Sequence, residues 1–344
     1  DLRRFPSISS SGRGTVMRLH SALLSCACFA SVVLTTPAVI AAEAEAPERV
    51  RYDGRQVVRV QLDSTRTLRT MLALCDDVWS HNVPQVGFVA DFMLDAEAMA
   101  ALATIDVAYE VLIPDVQALL DAEQARLEED AGAAAGLGFY TDFRTYEQIN
   151  ERLDMLAAMR PDLVDIVTIG QSLQGRDIRG VRITGTGGDP DKPAVLFNGC
   201  QHAREWVAVM TPMYIAETLV TSYDSDPYLQ QLMDQAVFFI FPIINPDGYI
   251  YSWDVDRLWR KNRRANFDGT FGVDLNRNWG YNWGCCGGSS SYTGSETYRG
   301  PSAFSEPETQ AIRDFAVAHP EVAVSLSIHT YGESILWPWG YDIN

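Results

Sequence analysis

Residues 56–62, 86–94 and 109–114 show the period of two expected of a half-buried strand. Each run is followed by a stretch with helical spacing, at 64–78, 95–105 and 115–129. Ser64, Asp95 and Asp115 stand where those helices begin, and side chains of this kind accept hydrogen bonds from the unpaired N–H groups of a first turn. The pattern predicts a small unit of three strand-plus-helix pairs. Its only histidine, His81, sits near Pro84 and is read as a loop residue.

Residues 130–138 end this regularity. An acidic helix end gives way to glycine and alanine with no apolar period, the composition of a linker that a protease can enter. From Phe139 onward the composition changes, and the runs 194–198, 237–245 and 322–329 are short, apolar and β-branched, like buried strands. Helical stretches at 206–221 and 306–319 alternate with them, which predicts a mostly parallel α/β sheet. Two domains are therefore expected, at 47–129 and 139–344.

Ahead of both lies an expected export signal at 17–44. Met17, the first plausible initiator, opens a short basic start with Arg18 and His20; residues 22–39 are apolar and small; Ala42-Glu43-Ala44 offers a small-x-small cleavage site. No later segment approaches the roughly 20 apolar residues of a spanning helix, so a secreted protein without a membrane anchor is expected. Hydrophobic residues at 47% and charged ones at 21% fit a globular chain with a real core. Lys and Arg total 27 against 45 Asp and Glu, a net charge of -18, which argues against affinity for nucleic acid or anionic membranes. Cleavage would remove Cys26 and Cys28, leaving Cys75, Cys200, Cys285 and Cys286, too few for a disulfide scaffold. Cys285 and Cys286 are adjacent, so pairing with each other is not expected, and partners elsewhere are favoured if they pair at all.

Candidate chemistry begins at the end of the first downstream strand. The segment Phe197-Asn-Gly-Cys-Gln-His-Ala-Arg-Glu-Trp206 leaves that strand through Gly199 and is read as entering a helix, with His202 and Glu205 three apart near its start. An imidazole and a carboxylate converging there can hold zinc if a third ligand arrives and a fourth position stays open to water. His329 is the candidate third ligand: in the strand 322–329 the alternation puts Ala323, Ser325, Ser327 and His329 on one face, and ligands in open α/β sheets collect at strand carboxyl ends. A His-x-x-Glu pair alone is a weak signal. The segment Arg257-Leu-Trp-Arg-Lys-Asn-Arg-Arg264 adds five cations in eight residues of an acidic chain, of which Lys261, Arg263 and Arg264 read as solvated. In Gly272-Val-Asp-Leu-Asn-Arg-Asn-Trp279, Asn276 and Arg277 offer an amide and a guanidinium fork to a carboxylate. Asn245-Pro-Asp-Gly248 reads as a turn.

These segments together resemble the zinc metallocarboxypeptidases of the pancreatic carboxypeptidase A and B type, including their secreted bacterial relatives. The likeness runs through His202-Ala-Arg-Glu-Trp206, Asn245-Pro-Asp-Gly-Tyr249, Arg257 to Arg263, Val273 to Trp279, Ser295-Glu-Thr-Tyr-Arg-Gly300 and Ile328-His-Thr-Tyr331. Residues 52–129, notably Tyr109-Glu-Val-Leu-Ile-Pro-Asp-Val-Gln117, look like the family's propeptide. The resemblance implies an α/β fold with a mixed, mostly parallel central sheet flanked by helices, preceded by a small α+β ferredoxin-like propeptide domain. It implies a zinc exopeptidase that removes C-terminal residues from peptides and proteins, made as a secreted, monomeric zymogen and released by an activating protease. A cut between Arg126 and Phe139 is expected.

Residue by residue, the resemblance makes His202, Glu205 and His329 the Zn2+ ligands. Asn276 and Arg277 would bind the substrate's terminal carboxylate, Arg260 would polarise the scissile carbonyl, and Arg204 and Tyr331 would contact the peptide further from its end. The family's general-base glutamate and mobile tyrosine lie well downstream of the second zinc histidine, whereas 15 residues follow His329. The resemblance thus implies a fragment lacking both, without turnover as it stands, and Glu333 is not proposed as a base. Three alternatives stay open: an inactive zinc-binding remnant, a related zinc amidohydrolase, and a cell-wall peptidase. An amidohydrolase would keep His202, Glu205 and His329 but need not keep Asn276 and Arg277 with Arg260.

Overall fold

The computed structural model describes residues 48–80, 84–130, 136–187, 191–332 and 334–338. The expected export signal, His81, Glu333 and linker residues 131–135 lie outside them. The first stretch forms β1 (Gln56–Gln61), α1 (Thr65–Leu74), β2 (Asp77–Val78), β3 (Val89–Leu94), α2 (Ala96–Leu102), β4 (Tyr109–Ile113) and α3 (Val116–Asp130). The Ser64 and Asp95 side chains accept from Thr67 N and Ala98 N, and Asp115 accepts from Ala118 N, as their positions ahead of amphipathic runs anticipate.

The four strands lie in the order β2-β3-β1-β4 with every ladder antiparallel, the ferredoxin-like arrangement of a split βαβ. Strand-plus-helix pairs do not stack side by side as a plain repeat would, because the two-residue β2 intervenes and β3 inserts beside β1. One face buries Val58, Val60, Phe92 and Leu94 against Met71 of α1 and Leu102 of α2. Burial of side chains this size contributes about 1.5 to 3 kcal/mol each, before the entropy of ordering them is subtracted.

The second stretch forms α4 (Tyr146–Met159), β5 (Val164–Gln171), β6 (Asp177–Ile183), β7 (Ala194–Gly199), α5 (Val207–Ser222), α6 (Pro227–Gln235), β8 (Val237–Phe241), α7 (Pro246–Asp254), α8 (Pro307–Ala318) and β9 (Val322–Ile328). Its sheet runs β5-β6-β8-β7-β9. The β8, β7 and β9 ladders are parallel, while the β5/β6 hairpin joins antiparallel, so the described sheet divides evenly between the two modes. Helices cover both faces. Phe238 and Ile240 of β8 pack with Leu153 of α4 and Met213 of α5, and the alternate residues Phe239 and Phe241 pack with Ile312 and Phe315 of α8. That two-sided burial is why β8 reads as an unbroken apolar run.

Four local expectations need correction. β8 stops at Phe241, and Asn245 then caps α7 by accepting from Gly248 N with Pro246 in the first turn, so the expected turn is a helix start. Lys261, Arg263 and Arg264 are not solvated. Lys261 is buried and donates to Thr293 O and Ser295 O, Arg264 pairs with the buried Glu306 at 2.7 Å, and Arg263 stacks on Tyr251, Trp259 and Phe271. Cys285 and Cys286 are bonded to each other, while Cys75 and Cys200 are free. A left-handed backbone at Cys286 (φ 67°), set between Gly284 and Gly287 at φ 74° and 82°, gives that turn its room. Finally, the apolar alternation of β9 does not mark a buried face, since Val324 and Leu326 are exposed.

Candidate active site

Gly199 ends β7, and a Cβ there would come within 2.2 Å of Ala208 O and 2.9 Å of Pro242 O, both backbone atoms. Only glycine lets the chain leave the sheet so close under α5. His202 and Glu205 therefore fall in the turn before α5, not inside the helix, which begins at Val207. In the adjoining parallel strand Ile328 pairs with Gly199, so β7 and β9 end level and His329 arrives directly beside the turn.

His202 Nδ1 lies 2.7 Å from Glu205 Oε1, and His329 Nδ1 lies 3.2 Å from His202 Nδ1 and 3.0 Å from Glu205 Oε2. Among the described residues these three form the one cluster able to hold a metal ion, with ligand atoms within 4.8 Å of one another. On its far side His202 Nε2 lies 3.1 Å from Asp274 Oδ1, and the Asp274 side chain is fully buried. A carboxylate can only accept, so Asp274 places the ring proton on Nε2 and leaves the Nδ1 lone pair facing Glu205 and His329. His329 Nε2 in turn lies 3.2 Å from Ser327 Oγ. Two imidazole nitrogens and a carboxylate converging at this spacing are too rich in acceptors for a hydrogen-bonded trio, and they match the His and Glu donor set of zinc. Burial opposes charge on Glu205, yet His202 and His329 hold its carboxyl well below the ordinary range.

Asp274 organises more than the histidine. It accepts from Arg260 Nη2 at 2.9 Å and from Asn276 N at 2.9 Å, where it caps the short 3-10 turn Leu275–Arg277. Arg260 Nη1 stands 4.0 Å from Glu205 Oε1. Arg277 donates Nε to Gly288 O at 2.7 Å and Nη1 to Asn276 O at 3.0 Å, and among the described residues no carboxylate lies within ion-pair distance of it. Its charge is thus oriented by neutral carbonyls and left open to an incoming anion.

Arg204 and Tyr331 face the N-terminal stretch. Arg204 donates to Asp77 Oδ2 at 2.6 Å and to Leu258 O at 3.3 Å, and the Tyr331 hydroxyl donates to Trp79 O. Burial opposes the Arg204 charge, but the carboxylates of Asp77 and Glu296 raise its pKa above the usual value. Nearby, Arg257 pairs with Glu123 at 2.5 Å and the Tyr52 hydroxyl donates to Asp256 at 2.7 Å.

Residues 149–344 match the family model for zinc carboxypeptidase. The chain belongs to the zinc carboxypeptidases. It is 34% identical to mouse carboxypeptidase A2 over 302 residues, which cover 84% of this chain and 71% of the relative. It is 32% identical over 311 residues to zinc carboxypeptidase A 1 of Anopheles gambiae, covering 88% of this chain and 70% of that protein. The crystal structure of carboxypeptidase A from Helicoverpa armigera superposes with a TM-score of 0.70 at 33% identity, covering 82% of this chain and 71% of that one. Thrombin activatable fibrinolysis inhibitor superposes with a TM-score of 0.77 at 25% identity, covering 85% and 76%. This zinc carboxypeptidase is accordingly a metallocarboxypeptidase whose cofactor is Zn2+, with a mixed sheet flanked by helices.

The zinc carboxypeptidase sequence left three positions of this site without a role. Asp274 stood unassigned within Val273 to Trp279, although an acid three residues before a cationic fork is a readable signal. Ser327 shared a strand face with His329. Asp77 carried no local signal, because it matters only through Arg204, 127 residues away.

Proposed function

We propose that His202, Glu205 and His329 hold the catalytic zinc, and that the protein uses it to remove single residues from the C-termini of peptides. Bound zinc supplies a Lewis acid and an activated water. The chain's own groups do the selecting and positioning. Arg277, with Asn276 beside it, takes the terminal carboxylate, and Arg260 donates to the scissile carbonyl oxygen as negative charge develops there. Asp274 ties the three together through His202, Arg260 and the Asn276 N–H. The observation that carries this reading is the unpaired guanidinium of Arg277, held by the carbonyl of Asn276, whose own N–H donates to the buried Asp274 carboxylate that also meets His202. An exopeptidase must recognise a chain end by its charge, and a local cation in a chain of net charge -18 is suited to that.

We further propose that the protein is a secreted, monomeric zymogen: 17–44 an export signal, 47–129 a propeptide, 130–138 the linker and 139–344 the catalytic domain. Engagement of Arg204 by Asp77 and of Tyr331 by the Trp79 carbonyl keeps both groups from a substrate. An activating protease would cut between Arg126 and Phe139. Arg126 pairs with Asp142 at 2.5 Å and Asp130 with Arg144 at 2.6 Å, so ion pairs brace both sides of the intended cut.

The test is release of the last residue from matched peptides bearing a free or an amidated C-terminus, followed by mass spectrometry. The native protein, once its linker is cut, is expected to trim only the free acid, and Arg277→Ala to lose that preference together with most of the rate. Equal trimming of both peptides would refute the role of Arg277. Trimming at full rate before any cut would refute the zymogen.

A further inference from the structure

One of the two carbonyls that orient the Arg277 guanidinium belongs to a turn that packing confines only at its start, where Gly284 lies against the Arg299 side chain. Arg277 Nε donates to the carbonyl of Gly288 at 2.7 Å. That carbonyl belongs to Gly284-Cys-Cys-Gly-Gly288, three glycines around the adjacent cysteine pair. On one side the segment is anchored by the Trp283 indole, which donates to Arg299 O. On the other, Ser290 N donates to Thr297 O and its carbonyl accepts from Arg299 N. Between those anchors a Cβ added at Gly287 or at Gly288 would meet nothing within 4 Å, so no side chain or backbone wall confines the turn there. Glycines in open space have wide conformational freedom. The covalent restraint present is the bond between Cys285 and Cys286, with Cys285 N also donating to Asn282 O at 3.0 Å.

We propose that the Cys285–Cys286 disulfide is a positioning element for substrate recognition: it fixes the turn whose Gly288 carbonyl aims Arg277 at the terminal carboxylate, and its reduction loosens substrate binding. This rests on Arg277 being the carboxylate-binding residue. The cysteines act through Gly288 and touch neither the metal ligands nor the substrate. The bond joins neighbours in sequence, so it shortens no long loop of the unfolded chain, and its effect is local to the turn.

A trialkylphosphine is the appropriate probe because it introduces no thiol to compete for zinc. Phosphorus attacks one sulfur, the S–S bond breaks, and water then converts the phosphonium to phosphine oxide, leaving Cys285 and Cys286 as two thiols. Cys75 and Cys200 are already free, so no other disulfide among the described residues reports.

The experiment compares kcat and KM of the native protein, once its linker is cut, for an N-acylated dipeptide with a free carboxylate, before and after phosphine. Loss of one hydrogen bond to a charged group corresponds to about tenfold, so KM is expected to rise about tenfold while kcat stays within about twofold. The double variant Cys285→Ser/Cys286→Ser should match the reduced protein and ignore phosphine. Arg277→Lys, which has no Nε–H for Gly288 to accept, should begin with a raised KM and show no further rise on reduction. If its turnover falls below detection, calorimetric binding of a non-hydrolysable ketomethylene analogue gives the same comparison. Reduction that leaves the native KM unchanged, lowers kcat instead, or raises KM by the same factor in Arg277→Lys would overturn the proposal. An Arg277→Lys protein with native KM would instead overturn the underlying reading of Arg277.

Discussion

Asp274→Asn tests the site at the point where its parts meet. The Asp274 carboxylate is fully buried and serves the His202 ring at 3.1 Å, the Arg260 guanidinium at 2.9 Å and the Asn276 N–H at 2.9 Å. Asparagine preserves the shape and can still accept from the Asn276 backbone. It removes the charge that fixes the His202 tautomer and the charge that compensates Arg260. Outer partners of metal-bound histidines are worth about 10- to 100-fold in metal affinity, or about 1.4 to 2.8 kcal/mol. Breaking the buried pair with Arg260 costs about 3 to 5 kcal/mol of folding stability. That is a large share of the roughly 5 to 15 kcal/mol a domain possesses, yet compatible with a folded protein. Zinc affinity is read by competition with a chromogenic chelator, and stability by urea unfolding of the same preparation. Zinc binding within about twofold of native in a folded Asp274→Asn protein would refute the organising role given to this carboxylate.

Glu308 should make stability depend on pH. Burial, with Glu306 nearby, pushes its carboxyl from 4.5 up to about 7. Between those values the unfolded chain has released the proton and the folded one keeps it, so the stability this group contributes is fully present below about 4.5 and is lost as pH rises to about 7, by about 3 kcal/mol. Glu308→Gln should remove that slope, seen as a relative gain at pH 8 over pH 4.5 in urea melts; a difference between the two proteins that does not vary with pH would contradict it. Asp77→Ala leaves Arg204 without its carboxylate partner across a pair whose side chains are 18% and 11% exposed. After the linker is cut, peptidase activity should appear in this variant at protein concentrations where the native protein stays blocked, and identical concentration dependence would contradict the latch. Gly199→Ala should destabilise by several kcal/mol, since its Cβ meets the Ala208 and Pro242 carbonyl oxygens at 2.2 and 2.9 Å. An unchanged thermal midpoint and zinc affinity would show that the turn before His202 has more room than described.

What could be read from sequence divides along physical lines. Ser64, Asp95 and Asp115 announced their helices because capping is local, and β8 announced itself because both its faces are buried. The convergence of His202, Glu205 and His329 was legible through motif company, with His202 and Glu205 close in sequence and His329 at a strand end. The β5/β6 hairpin went unnoticed: its half-buried positions are interspersed with Arg, Thr and Gly, so the period of two is blurred. Lys261 and Arg264 looked solvated because their partners, the Thr293 and Ser295 carbonyls and Glu306, are 32 to 42 residues distant. The same holds for Asp77, whose pairing with Arg204 is a tertiary fact. The Cys285–Cys286 bond was misread because adjacency was weighed without the left-handed backbone that the surrounding glycines permit.

The most direct test of the central claim is zinc content per chain, by elemental analysis after exhaustive dialysis, in the native protein and in His329→Ala. His329 is the ligand that arrives from β9, so it reports on the assembled fold and not on the local His202-to-Glu205 turn alone. About one zinc per native chain, lost from a folded His329→Ala protein, is the expected result. Equal zinc in both would contradict the site assigned here.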